Sequence, residues 1–203
     1  MSSSTVDGRR VRGDRTRRAV LDRAVQEASV RGLDALSLGG LAAAAPVNKS
    51  GIAGLFGSKE KLQLAAVERA WEIYAETVVE PARAAPAGLP RLLALVETWI
   101  AYSRGRVFEG GCFFRTVSVE FDGRQGLVRD AIVAAQRDWD SYLRHHVEVA
   151  LADGALPAGT DPDQVVFEVT AMLEGANDRS LLYGDDAVYE RAARGIRAVL
   201  GRS

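Results

Sequence analysis

The chain has 203 residues, but only one cysteine, Cys112, and two histidines, His145 and His146. A single thiol excludes an internal disulfide and leaves a multi-cysteine zinc site without ligands. The histidines are adjacent, so on a helix they point about 100° apart rather than sharing a face as an i, i+4 metal pair would. Asp138 and Asp140 are two apart and do not face one another either. No apolar run approaches the roughly 20 residues a membrane span needs. The Ser-rich, then Arg-rich start holds no apolar stretch of the secretory kind. Glycine loops of the P-loop or Rossmann pattern are missing. So is the strand-like alternation of apolar and polar residues. These absences leave little support for catalysis. They suggest a cytoplasmic protein with no cofactor and no membrane partner.

What is present is helix-forming sequence with an uneven charge. Residues 1–62 carry 11 Lys and Arg against 6 Asp and Glu, whereas residues 63–203 carry 15 against 21. A basic front and an acidic back suit a module that meets polyanions joined to one that does not. A merely solvated basic tail is the plainer alternative.

The periodicity predicts an all-α protein of about nine helices. Val20, Ala24 and Ala28, with Leu21 and Val25 beside them, mark an amphipathic helix from about Arg15 to Val30. Gly32 stands where a helix ends. Ser37 is placed to cap a short second helix, and a third begins near Asn48 after the turn Ala45-Pro46-Val47. Ser58 caps a long fourth helix, with Glu60 in its first turn, that can run to Glu80. Residues 81–90 read as a loop. Helices follow over about 89–104, 113–120, a long stretch to Asp153, 162–182 and 186–200. Asp161, Pro162 and Gln164 form a capping-box pattern with proline at the first helical position.

Two short helices joined by a tight turn, between a first helix and a long fourth, form a helix-turn-helix layout. Here TRRAVLDRAVQEASVRGLDALSLGGLA, then VNKSGI and FGSKEKL, resembles the N-terminal domain of TetR-family transcriptional regulators over about Thr16–Val67. The later GGCFF, the Glu120 and Asp122 pair, GLVRDAI and LADGAL…DPDQ resemble one branch of that family. The resemblance implies a flexible basic arm (1–14), a DNA-binding domain (15–61) and a helical ligand-binding and dimerisation domain (62–203). It implies a repressor that binds operator DNA as a homodimer and is released by a small-molecule effector.

Two departures bear on DNA reading. The family usually has glycine where Pro46 stands, and proline is locked near φ −65°. The aromatic residue usual near the end of the reading helix is replaced in Ala53-Gly54-Leu55-Phe56. Gly51 and Gly54 each cost the helix roughly 1 kcal/mol relative to alanine. Asn48, Lys49 and Ser50 remain to meet phosphates or base edges, with Gly51 and Ala53 permitting close approach. Ser37 and Lys59 suit phosphate clamping, and Arg12, Arg15 and Arg17 suit an arm along the backbone or minor groove. Asn48 and Ser58 can equally be only helix caps.

In the back domain the expected ligand-pocket residues are Trp71, Trp99, Tyr102, Phe113, Phe114, Phe121, Trp139, Phe167 and Met172, with Asn177 as a polar companion; plain core packing is the alternative for each. Thr116 and Glu120 are further polar candidates. For the dimer seam the expected stripes are Val165, Val169, Leu173 and Ala176, and Val188, Ala192, Ile196 and Val199. An intramolecular core is the other reading of those stripes. Cys112 reads as a buried, inert thiol or as a redox switch. The alternative function is a helical dimeric small-molecule-binding or scaffold protein with a degraded DNA-binding domain.

Overall fold

The computed structural model describes residues 4–44 and 49–201; of residues 4–12, 43–44, 49–50 and 53 it describes the backbone alone. Among the described residues there are nine helices and no strand. Helix α1 is Ser4–Arg31, α2 Leu38–Ala44, α3 Lys49–Phe56 and α4 Lys59–Tyr74. Helix α5 is Leu89–Arg104, α6 Phe113–Phe121, α7 Leu127–Ala152, α8 Pro162–Tyr183 and α9 Ala187–Val199. One short 3-10 turn, Leu33–Ala35, joins α1 to α2.

Local chemistry explains most of the boundaries. Gly32 takes φ 83° after α1, a region closed to most side chains. Ser37 Oγ accepts from Gly40 N at 2.9 Å, and Ser58 Oγ accepts from Lys61 N at 3.2 Å, so both serines act as N-caps. Asp161 caps α8 through Asp163 N at 3.0 Å. The capping box does not close there, because Gln164 turns to Glu168 instead, at 2.7 Å.

Two boundaries differ from the sequence-based expectation. Helix α1 begins at Ser4, so the helix extends through residues expected to form an arm. The fourth helix passes Pro81 rather than stopping before it. Ala75–Val79 form a π-helical turn, and Glu80–Ala82 resume the α-helix. In the π turn Glu80 N–H reaches the Ala75 carbonyl, so the helix has left i→i+4 register before it meets the proline. Thr98 Oγ1 on α5 donates to the Val78 carbonyl at 2.9 Å and helps satisfy the widened turn.

Helices α1, α2 and α3 form the front of the molecule, with α4 behind them. A single buried core runs from Leu33, Leu36, Leu41, Ile52 and Phe56 in the front to Phe113, Leu143 and Tyr189 in the back. Helix α1 packs on α4 and α6, α4 packs on α7, and α8 with α9 make the most extensive helix pair.

Candidate functional site

The front of the molecule places the short helix α3, the expected reading helix, on a small support. Ile52 and Phe56 bury the inner face of α3, at 0% and 4% exposure. Gly54 is exposed. Asn48 lies outside the described residues, together with the turn at Ala45, Pro46 and Val47. Lys49, Ser50 and Ala53 lie in α3 and Arg12 in α1, and their side chains are outside the described set. Gly51 is half-buried in the same helix, and Arg15 is exposed on α1.

Two expected phosphate contacts have internal roles. The Arg17 guanidinium sits 5.1 Å from the centre of the Phe56 ring, which ties α1 to α3. Lys59 Nζ donates to the Asp34 carbonyl at 2.6 Å and pairs with its carboxylate at 3.4 Å. The 3-10 turn is therefore a junction. Glu120, at the end of α6, accepts from Leu33 N at 2.6 Å and Asp34 N at 2.8 Å. Arg124 donates to Asp34 at 2.5 Å, and Gln63 donates to the Leu33 carbonyl at 3.0 Å. The Arg124 hydrogen bond, with Lys59 beside it, holds the Asp34 carboxyl below its usual value. Glu120 was a polar candidate for the ligand, with a surface or hydrogen-bonding role as the alternative. It instead fastens the front helices to the back domain, over 87 residues of sequence, a contact that no local pattern reveals.

The back domain holds a partly open cavity of about 130 Å³. Trp71 and Tyr74 enter from α4, Trp99 from α5, Cys112 and Phe114 from the start of α6, and Trp139 from α7. The rings interlock: Tyr74 meets Trp139 edge-on at 5.3 Å and Phe114 at 6.0 Å, and stacks on Trp71 at 5.7 Å. Arg115, Gln136, Asp140, Thr170 and Glu174 complete the lining with Leu173. Burial pushes the Cys112 thiol up, which favours the inert reading of that cysteine.

Four of the expected pocket residues, Trp71, Trp99, Phe114 and Trp139, thus meet around one cavity. Tyr102 and Phe113 are buried beside it as packing: Tyr102 meets Tyr74 edge-on at 5.4 Å, and Phe113 meets Phe114 at 5.4 Å. Phe121 is buried at the far end of α6, under the Arg124 guanidinium. Asn177 is a buried clamp, accepting from Cys112 N at 2.9 Å and Ser103 Oγ at 3.0 Å. Thr116 is turned away as well, with its hydroxyl on the Ser29 carbonyl at 3.1 Å.

Phe167 and Met172 belong elsewhere. Phe167 is 67% exposed, and both residues line an open groove between α8 and α9. The stripes expected at a dimer seam lie mostly inside the chain. Val165, Val169, Leu173, Ala176, Val188, Ala192 and Ile196 are all buried, and Val199 packs partly against the same core. They follow the intramolecular reading, although Ala176, Val188 and Ala192 also reach the floor of the groove. Leu182 and Tyr183, at the C-terminal end of α8, are likewise exposed, at 75% and 68%. Met172 Sδ lies over Gly195, where a Cβ would come within 2.7 Å of it.

A helix-turn-helix front on a helical bundle with an aromatic-lined cavity defines a class of DNA-binding regulators. Residues 20–66 match the family model for bacterial regulatory proteins of the tetR family, and residues 88–196 match a tetracyclin repressor-like C-terminal domain. The chain belongs to the TetR family and is a ligand-responsive transcriptional regulator. No curated protein matches the sequence.

Solved structures agree on the fold. A TetR regulator from Chloroflexus aurantiacus superposes with a TM-score of 0.87 at 23% identity, covering 95% of this chain and 97% of that one. A second, from Cytophaga hutchinsonii, gives 0.81 at 20% identity over 94% and 95%. AibR, solved with isovaleryl coenzyme A and operator DNA, gives 0.73 at 20% identity over 93% and 100%. Nothing in these comparisons supports a scaffold protein with a lapsed DNA-binding domain. Among the described residues no group of His, Cys, Asp or Glu is arranged to hold a metal ion. No described helix is long and apolar enough to cross a membrane.

Proposed function

We propose that the protein is a cytoplasmic, non-enzymatic repressor that binds operator DNA as a homodimer and is released when a small molecule occupies the aromatic cavity. One observation carries this reading: a single helix serves both ends. Helix α4 starts at the Ser58 cap directly behind the reading helix, and its last turn delivers Trp71 and Tyr74 to the cavity. A ligand that displaces those rings moves the helix that supports the reading head. The π turn that follows Tyr74 is the least regular part of that helix and the place where such a shift is absorbed.

The exposed surface of α8 and α9 is the proposed dimer seam. Phe167, Leu182 and Tyr183 replace the buried stripes as its apolar anchors. A two-fold dimer presents two reading heads to two half-sites. For the heads themselves, Lys49, Ser50 and Arg15 are the proposed DNA contacts, with Asn48, Gly51 and Ala53 beside them. Arg12 is the proposed backbone-following arginine.

The test is binding of the purified protein to the duplex upstream of its own gene, beside a scrambled duplex, across a salt series. Selective binding to the native duplex is the expected result. Equal binding to both, fading steeply with salt, would leave only phosphate contacts and overturn the operator reading. Leu182→Glu should yield monomers by sedimentation and weaken operator binding; an unchanged dimer would move the seam elsewhere.

A further inference from the structure

We propose that the cavity is built for a small organic cation, with its charged head among the aromatic rings and its charge answered by Asp140 and Glu174. This rests on the cavity being the effector site. All three tryptophans of the chain line it, together with Tyr74 and Phe114. Aromatic faces are electron-rich and attract a cation held against them, most strongly when water is excluded.

The charges of the lining point the same way. Arg115 is its one cation, and that guanidinium is already engaged. Its Nε and Nη2 donate to Asp178 at 3.0 and 2.8 Å, with Glu174 more distant at 3.9 Å. Asp140 has no hydrogen-bond or ion-pair partner among the described residues. Glu174 is half-buried and Asp140 stands at the exposed rim; desolvation raises both carboxyls, a cost that a cation seated beside them would offset. Of the neutral polar side chains of the lining, the Gln136 amide and the Thr170 hydroxyl each have an internal partner. Gln136 donates to Ser118 at 3.2 Å, and Thr170 donates to the Val166 carbonyl at 2.8 Å. The ring faces and the two carboxylates are the features of the lining that favour a cation over a neutral or anionic ligand. An anion, or a ligand carrying phosphates, would meet two carboxylates and a guanidinium already neutralised.

Size narrows the class. A cavity of about 130 Å³ is close to the roughly 150 Å³ that accepts a benzene ring. The buried part of the ligand is one quaternary or tertiary ammonium head or one small charged ring.

The experiment uses the full chain and its own tryptophans as the reporter. Benzyltrimethylammonium is titrated beside neopentylbenzene, its uncharged carbon isostere, and phenylacetate, an anion of similar size. Release of the upstream duplex by each probe is followed in parallel. The cation is expected to change the tryptophan fluorescence and to bind roughly tenfold more tightly than the isostere, the scale of a desolvated cation–aromatic contact. The pair D140N/E174Q should cut that preference severalfold, leaving only the contribution of the rings, while binding of the isostere stays unchanged. Should the pair fail to fold, the single D140N, at an exposed position, carries the test with a smaller loss. Equal or tighter binding of the isostere or of phenylacetate overturns the proposal, as does a cation preference that the substitutions leave undiminished. If an uncharged or anionic probe binds and releases the duplex, the effector site stands and the charge assignment falls. If no probe disturbs the tryptophans, both fall.

Discussion

The front and back of this molecule are built to different standards. The two short helices of the front, α2 and α3, hold four glycines in fifteen residues: Gly39, Gly40, Gly51 and Gly54. Helices this short are marginal alone in water and exist here because α1 and α4 hold them. The back domain is made of helices of 9 to 26 residues, four of them 16 or longer, around interlocked rings. The contrast places stability in the back and leaves the reading head as a lightly held attachment. That arrangement suits a regulator, since elements that must move come from the low-stability end of a structure.

The largest expected effect tests that division directly. Phe113 is fully buried between Phe108 and Phe114. Phe113→Ala should cost about 3–5 kcal/mol, seen as a lower denaturant midpoint for the whole chain. Ile52→Ala removes a fully buried residue from the front and should abolish operator binding while the back domain melts almost normally. If Ile52→Ala lowers the whole-chain midpoint as far as Phe113→Ala does, the two regions unfold as one and the division fails.

A second effect belongs to the back alone. His146 is 3% exposed, its Nδ1 accepts from Gly88 N at 3.4 Å, and its Nε2 has no partner. Burial first, then His145 and Arg91, lowers its pKa to about 4. The unfolded chain takes up this proton near pH 6.5 and the folded chain only near 4, so stability present above 6.5 is lost as pH falls between those values. The loss should approach about 3 kcal/mol by pH 4. His146→Phe should flatten that slope in urea melts at a series of pH values. An unchanged slope would mean other groups set the acid limit.

A smaller effect lies at the junction between the regions. Glu120→Gln keeps the shape but weakens the grip on Leu33 N and Asp34 N, at a cost of about 1–2 kcal/mol. The cost should appear as faster amide exchange across residues 33–44, with exchange in α7 and α8 unchanged. Gly32→Ala attacks the same contact from the other side, because its Cβ would lie 2.6 Å from the Glu120 carboxylate at a φ of 83°. Uniform protection in both variants would show that the junction does not hold the head.

How much of this was legible in the sequence follows from distance along the chain. Caps at Ser37, Ser58 and Asp161 and the break at Gly32 are settled within a few residues, and the sequence displays them. The stripe Val165, Val169, Leu173 and Ala176 was legible as apolar, but periodicity does not say whether the surface it meets is in the same chain or in another. Burial answers that by turning the stripe inward. Phe167 and Trp139 look alike as aromatic residues, yet one is exposed on α8 and the other walls the cavity. The partners of Glu120 and Lys59 lie 87 and 25 residues away, and only the folded arrangement of α6 and α4 on the 3-10 turn brings them together. Charge by itself suggested a phosphate clamp at Lys59, whereas the structure gives its ammonium to Asp34.

The smallest expected effect bears most closely on the contrast. Gly54 lies on the exposed side of α3, and a Cβ there would meet nothing within 4 Å. Gly54→Ala should therefore add helix stability with no clash to offset it, by about 0.5–1 kcal/mol. The global midpoint should barely move, because the back domain sets it. Amide exchange in α3 should slow, and operator affinity should rise by roughly the same free energy, up to about fivefold, if part of that affinity is spent on ordering the helix. A variant with a slower-exchanging α3 and unchanged affinity would mean that the reading helix is already formed before DNA arrives. A loss of affinity would mean that the glycine is there for the close approach of the backbone to the duplex, and the apparent weakness of the front helix would then be part of how it reads.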